Sequence, residues 1–162
     1  MSDLFKLSER LGTQLQARGM WLAVAESCTG GWVAKCLTDV PGSSRWFERG
    51  FVTYSNAAKQ EMLGVPAATL QQHGAVSEPT VAAMAAGVLG HSPADLALAI
   101  SGIAGPGGAV PGKPVGTVCF AWATRRGATR IETRLFAGGR EQVRRAAVIH
   151  GITRLIELSA DA

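Results

Sequence analysis

Apolar positions recur along this chain in two rhythms. Leu4, Leu7, Leu11 and Leu15 return at helical spacing until Gly19 stops the pattern, which predicts a helix over residues 3–18. Short apolar runs bounded by turn residues follow the other rhythm. WLAVAE (21–26) and DLALAISG (95–102) read as buried strands, and RGFVTYS (49–55) as a strand between them. GGWVAKCLTDV reads as a helix ended by PGSS. NAAKQEMLG reads as a short helix with Asn56 placed to cap it and Gly64 to close it. VPAATLQQHG is a short helical turn, and SEPTVAAMAAGVLG is an Ala-rich helix that Ser77 can cap. VGTVCFAWATR and ATRIETRLFAG flank Arg126-Gly127 as a hairpin. The last pattern, REQVRRAAVIHGITRLIEL, is a helix with Val143, Ala147, Ile149, Ile152, Leu155 and Ile156 inward.

Strand and helix alternate early and a hairpin comes late. That order predicts an α/β protein, a three-layer α/β/α sandwich with a mixed, mostly parallel sheet of about five strands. No repeat or linker interrupts residues 1–162, so a single domain is expected. Such sheets bind ligands past the carboxyl ends of their parallel strands. The three strand ends here are ESCTGG, TYSNAAK and SGIAGPGG, all rich in hydroxyls and glycine.

Composition narrows the function. Apolar residues make up 47% and charged ones 17%, a globular balance. The net charge of +4 tolerates an anionic small molecule, but basic residues are scattered and aromatics are only 6%, so nucleic acid is not expected as a partner. Cys28, Cys36 and Cys119 fit no zinc spacing, and His73, His91 and His150 stand far apart, so no metal is expected. The N-terminus is amphipathic and carries acidic residues rather than a signal-like pattern, and no run approaches the roughly 20 apolar residues of a membrane span. A cytoplasmic protein with no membrane partner is expected.

Ser27 stands at the strand-to-helix turn, either as a nucleophile beside free helix amides or as a cap, a role open to Thr29 as well. Cys28 is its rival, a thiol near a helix start or a core side chain. Lys59 follows the second strand by four residues. Stripped of solvent it can be neutral near pH 7 and take a proton from Ser27; exposed, it is an ordinary helical lysine. Tyr54, the only tyrosine, either touches that pair or simply ends its strand. Gly30, Gly31, Gly102, Gly105, Gly107 and Gly108 let backbone amides approach a phosphate or oxyanion. Lys113, Arg140, Arg144 and Arg145 offer cations. GIAGPGG is not a dinucleotide fingerprint, and GPGGAVPGKP lacks the P-loop ending, so neither ATP nor a dinucleotide is expected.

The strings AESCTGGWVAK, GSSRWFERGFVTYSNAAKQEMLGV, HGAVSEPTV, SGIAGPGG and KPVGTV, in order over residues 4–158, resemble the CinA C-terminal domain family. Stand-alone members of that family are nicotinamide-nucleotide amidohydrolases. The resemblance implies an α/β/α sandwich and hydrolysis of nicotinamide mononucleotide to nicotinate mononucleotide and ammonia, without cofactor. It implies Ser27 as nucleophile, Lys59 as base and Tyr54 as their neighbour. Amides near Thr29, Gly30 and Gly31 are expected to hold the oxyanion. Thr29, Ser101, Gly102, Gly105 and either Arg140 or Arg145 are expected around the phosphate. Family members are often dimeric, so a homodimer is the expected assembly. The competing reading is a non-catalytic mononucleotide-binding or competence-associated module. A third is an amidase for a smaller amide such as free nicotinamide.

Overall fold

The computed structural model describes residues 2–161. Its elements run α1 (Asp3–Ala17), β1 (Leu22–Glu26), α2 (Trp32–Thr38), β2 (Phe47–Val52), α3 (Asn56–Leu63), α4 (Ala67–His73), α5 (Glu78–Gly90), β3 (Leu96–Gly102), β4 (Thr117–Thr124), β5 (Arg130–Leu135) and α6 (Arg140–Ala160). Among the described residues the strands form one five-stranded sheet in the order β2-β1-β3-β4-β5. β1 pairs in parallel with β2 and β3, while β4 runs antiparallel to both β3 and β5. β4 alone therefore runs against the rest, and the mixed, mostly parallel sheet with a late hairpin is as expected. Among the described residues no helix is long and apolar enough to cross a membrane.

Two boundaries differ from the sequence expectation. The second strand begins at Phe47, paired with Leu22, and ends at Val52 rather than covering 49–55. The chain then leaves the sheet to enter α3. Ser55, not Asn56, is the cap: its hydroxyl accepts the Ala58 N–H at 3.0 Å, and Asn56 is already helical. Gly64 closes the helix with φ +69°, as its position predicts. Ser77 caps α5 by accepting the Thr80 N–H. On α6 Val148 is fully buried, whereas the neighbouring Ile149 is only partly covered.

Strand alternation sends two different sets of side chains to the two faces. Leu22 and Val24 of β1, Leu96, Leu98 and Ile100 of β3, and Val118, Phe120 and Trp122 of β4 pack beneath α1, α2 and α6. The intervening positions are Ala23 and Ala25, Ala97 and Ala99, and Cys119, Ala121 and Ala123, and they pack beneath α3, α4 and α5. The methyl-floored side lets helices lie close. α5 approaches α3 so closely that a Cβ at Gly87 would run into the Leu63 carbonyl.

Candidate active site

β1 ends at Glu26, and the next residue carries the hydroxyl. The Ser27 N–H donates to Ile100 O at 3.0 Å, so the sheet still holds the backbone where the side chain emerges. Ser27 is not a helix cap. The carboxylate of Glu26, itself 1% exposed, takes that task by accepting from Val33 N (2.8 Å), Ala34 N (3.0 Å) and Thr29 Oγ1 (2.6 Å). Glu26 points to the α2 side of the sheet, so Ser27 points to the other. Sequence reasoning misses Glu26; the signal that could find it is an acid closing an otherwise apolar strand.

Lys59 arrives on that other side, one turn into α3. Its side chain is 1% exposed, and its Nζ stands 3.0 Å from Ser27 Oγ and donates to Tyr54 O, also at 3.0 Å. Ser27 Oγ lies 3.3 Å from the same carbonyl. Burial pushes the amine below its ordinary value of 10.5, and the Cys28 thiol acts weakly in the other direction. An amine beside a hydroxyl, with no carboxylate among the described residues to hold it charged, is the arrangement of a proton acceptor rather than of an ion pair.

Tyr54 contributes through its main chain. Its ring is largely exposed, and its phenol oxygen accepts from Arg140 Nη2 at 3.2 Å while Arg140 Nη1 donates to Gly105 O at 2.8 Å. Arg140 thus ties the β2–α3 connection to the loop after β3. One turn on, Arg144 donates to Cys28 O (3.0 Å) and Thr29 O (3.2 Å) and lies over the Trp32 ring. The spacing of four that puts Arg140 and Arg144 on one helix face is readable in the sequence. Arg145 is exposed and makes no hydrogen bond or ion pair among the described residues. Arg144 rather than Arg145 is the α6 side chain that joins Arg140 at the turn.

The remaining expected residues divide. The Thr29 hydroxyl is fully buried and spent on Glu26, so it faces away from the crevice. Gly30 and Gly31 adopt φ +59° and +99°, which only glycine holds comfortably, and a Cβ at Gly30 would meet Arg144. The Gly30 N–H is already given to Ser27 O at 3.1 Å, whereas those of Thr29 and Gly31 have no acceptor among the described residues. Ser101 is buried at the end of β3, paired with Cys119 in the ladder. Gly102 is a packing glycine, since a Cβ there would lie 2.7 Å from Val118 and 3.1 Å from Cys28 Sγ. Gly105 has φ +86° and offers its carbonyl to Arg140. Cys28 turns into the bulky core, and burial pushes its thiol up to about 11, so sulfur is neither aimed at the crevice nor ionised. None of the histidines meets Ser27: His91 Nδ1 lies 2.8 Å from Gly87 O, and His150 Nε2 lies 2.8 Å from Glu132.

A concavity of about 1110 Å³ lies at the opposite end of the strands, lined by Arg18, Met20, Asp95, Trp122, Thr124 and Arg125. The Arg125 guanidinium is spent on the carbonyls of Leu89, Ser92 and Ala94.

Fold and site together define an α/β/α sandwich with a buried hydroxyl–amine pair at the carboxyl edge of its parallel strands. The chain belongs to the CinA C-terminal domain family, whose profile matches residues 4–159. It is 57% identical over 154 residues to nicotinamide-nucleotide amidohydrolase PncC of Escherichia coli, covering 95% of this chain and 93% of that one. It is 47% identical over 163 residues to the protein of the same name from Pseudomonas putida, covering 99% and 100%. A solved CinA superfamily protein from Klebsiella pneumoniae superposes with TM-score 0.95 at 41% identity, covering 99% and 100% of the two chains.

Proposed function

We propose that this chain hydrolyses the carboxamide of nicotinamide mononucleotide, releasing nicotinate mononucleotide and ammonia, with Ser27 as nucleophile and Lys59 as base. The single observation that carries the reading is the 3.0 Å approach of a desolvated Lys59 amine to Ser27 Oγ. Relatives that match over nearly their whole length bear the name of this activity, which supports the substrate. A protein that only bound mononucleotides would gain nothing from burying an amine against a hydroxyl, because that burial costs stability.

Neutral Lys59 takes the proton of Ser27 as the oxygen forms its bond to the carboxamide carbon, and the carbonyl electron pair moves onto oxygen. The unspent amides of Thr29 and Gly31 are the donors available for that oxyanion, each such donor being worth about 3 kcal/mol of barrier. The carbon–nitrogen bond then breaks, and Lys59 returns its proton to the departing nitrogen, which leaves as ammonia. Water attacks the resulting ester with Lys59 again as base, and Ser27 regains its proton as the acid is released. The cationic pyridinium ring withdraws electrons from the amide and eases the first attack. Arg140 and Arg144, which meet the site from α6, supply the positive charge a phosphate requires.

Ammonia release from nicotinamide mononucleotide by the purified protein tests the reading. Ser27→Ala is expected to lower the rate by at least about 1000-fold while circular dichroism stays native. A folded Ser27→Ala variant with full activity removes the mechanism. Absence of ammonia from the wild-type protein, with the nucleotide still bound, returns the reading to a binding module. Equal rates on free nicotinamide would detach the phosphate from recognition.

A further inference from the structure

Among the described residues, Thr53 carries the one fully buried side-chain oxygen or nitrogen without a hydrogen-bond partner. Thr53 is 0% exposed and immediately follows β2. Its N–H donates to Glu26 O at 2.9 Å, which extends the β1–β2 ladder one step past Glu26 and Val52. Alternation decides where its side chain goes. Phe51 packs with the alanine-face cluster, and Val52 turns to the α2 side, where Gly31 lies against it. Thr53 therefore turns to the face on which Ser27 and Lys59 meet. The next residue, Tyr54, supplies the carbonyl that both of them approach.

A count of hydrogens gives this unpaired oxygen a use. The neutral amine of Lys59 has one lone pair and two hydrogens. At rest Nζ donates to both Ser27 Oγ and Tyr54 O; to take the serine proton it turns its lone pair toward that hydroxyl. Once the serine proton has moved, the ammonium carries three hydrogens. Until the carbon–nitrogen bond breaks and the departing nitrogen takes a proton, Ser27 Oγ and Tyr54 O take two of them, and the third needs an acceptor in a place closed to bulk water. We propose that Thr53 Oγ1 is that acceptor, a positioning residue whose contact with Lys59 forms when the amine becomes charged. This assignment rests on the Ser27–Lys59 mechanism. An interaction made in the charged state and absent at rest stabilises the transition state without tightening substrate binding. It also explains why a threonine stands where valine has the same shape. The unpaired hydroxyl is costly in the resting fold, and the cost is recovered only during turnover.

The test compares Thr53→Val and Thr53→Ser with wild type in steady-state ammonia release from nicotinamide mononucleotide, alongside thermal unfolding. Thr53→Val is expected to lower kcat by about 10- to 100-fold, leave KM within about twofold, and leave Tm unchanged or higher. Thr53→Ser, which keeps the oxygen, is expected to restore most of kcat. The assignment is overturned by a Thr53→Val kcat close to wild type, by a change confined to KM, by a loss that serine does not restore, or by a loss that accompanies a lower Tm. Ser27→Ala and Lys59→Ala are assayed in the same series. If either stays fully active, the Ser–Lys reading falls and takes this one with it. If both are inactive while Thr53→Val is fully active, only the Thr53 assignment falls.

Discussion

The two faces of the sheet are made by the same strands and do different work. One is floored with leucine, isoleucine, phenylalanine and tryptophan under α1, α2 and α6. The other is floored almost wholly with alanine under α3, α4 and α5. The bulky face buries the larger apolar area and carries more of the stability. On the alanine face α5 lies close against β3 and β4, and α3 delivers a lysine amine to a strand-end hydroxyl. That face also buries an amine, and a hydroxyl without a partner, both of which oppose folding. On the proposed mechanism, stability and chemistry are thus divided across a single sheet, with Glu26 at the seam. Its carboxylate anchors α2 on the bulky side, and its covalent neighbour Ser27 turns its hydroxyl toward Lys59 on the thin side.

The sharpest way to break this comparison is Lys59→Met. Turnover is expected to fall at least about 1000-fold, while stability holds or rises because the buried amine is gone. The pH dependence has a definite sign. Burial lowers the folded-state pKa of Lys59 below the ordinary 10.5, so the unfolded chain binds the extra proton between those two values and wild-type stability rises with pH across that window. The advantage of Lys59→Met is therefore full below the lowered pKa and fades as pH climbs toward the ordinary amine value. In the wild type, kcat/KM is expected to rise with pH through a limb set by the same group, below the ordinary lysine range. Thermal melts and rate profiles over a pH series check both. A Lys59→Met variant that is less stable at neutral pH would show that the amine supports the fold rather than burdening it.

Much of this division is written in the strands. LALAI in β3 and LAVA in β1 alternate large with small, and that period of two is enough to sort the side chains onto two faces. The strand-end rule brings Ser27, Lys59 and Ser101 to one edge. The choices between side chain and main chain are not legible in the same way. As the only tyrosine, Tyr54 draws attention to its phenol, yet its carbonyl is what meets Lys59, because the chain turns out of β2 at that residue and exposes its ring. Thr29 offers a hydroxyl to the crevice on paper, yet a buried carboxylate three residues earlier claims it. Neither outcome has a sequence period behind it; both follow from which polar groups lie closest once the turn has closed. Arg145 stands about 100° around the helix from Arg144, and the spacing of four puts Arg144 rather than Arg145 on the face of Arg140.

A matched pair of core variants sharpens the comparison further. Gly87→Ala places a methyl against the Leu63 carbonyl and must push α3 away from α5. It is expected to cost about 1–3 kcal/mol of stability and, by moving Lys59 relative to Ser27, to reduce kcat by roughly 10- to 100-fold. Leu98→Ala removes bulk beneath α6 on the other face, where Leu98 abuts Gly151. Its stability cost is expected to be larger, about 2–5 kcal/mol, with kcat within about twofold of wild type below its own melting range. Denaturant melts and steady-state rates on the two proteins give all four numbers. Equal losses of kcat would mean that the faces are coupled and that stability and chemistry are not divided between them.

The smallest effect is expected at the residue nearest the proposed nucleophile. Cys28 is covalently next to Ser27 but belongs to the other face, with its sulfur in the bulky cluster and close to Gly102. Burial pushes its thiol up to about 11, so at pH 7 only about one part in ten thousand is thiolate. Cys28→Ala is expected to keep activity within about twofold of wild type, and alkylation under native conditions is expected to spare it, because the sulfur is covered. The variant discriminates because Ser27 and Cys28 are adjacent in sequence and separated only by the side of the sheet they choose. A folded but inactive Cys28→Ala protein would place the chemistry on the bulky face, and the alanine floor would then need another explanation.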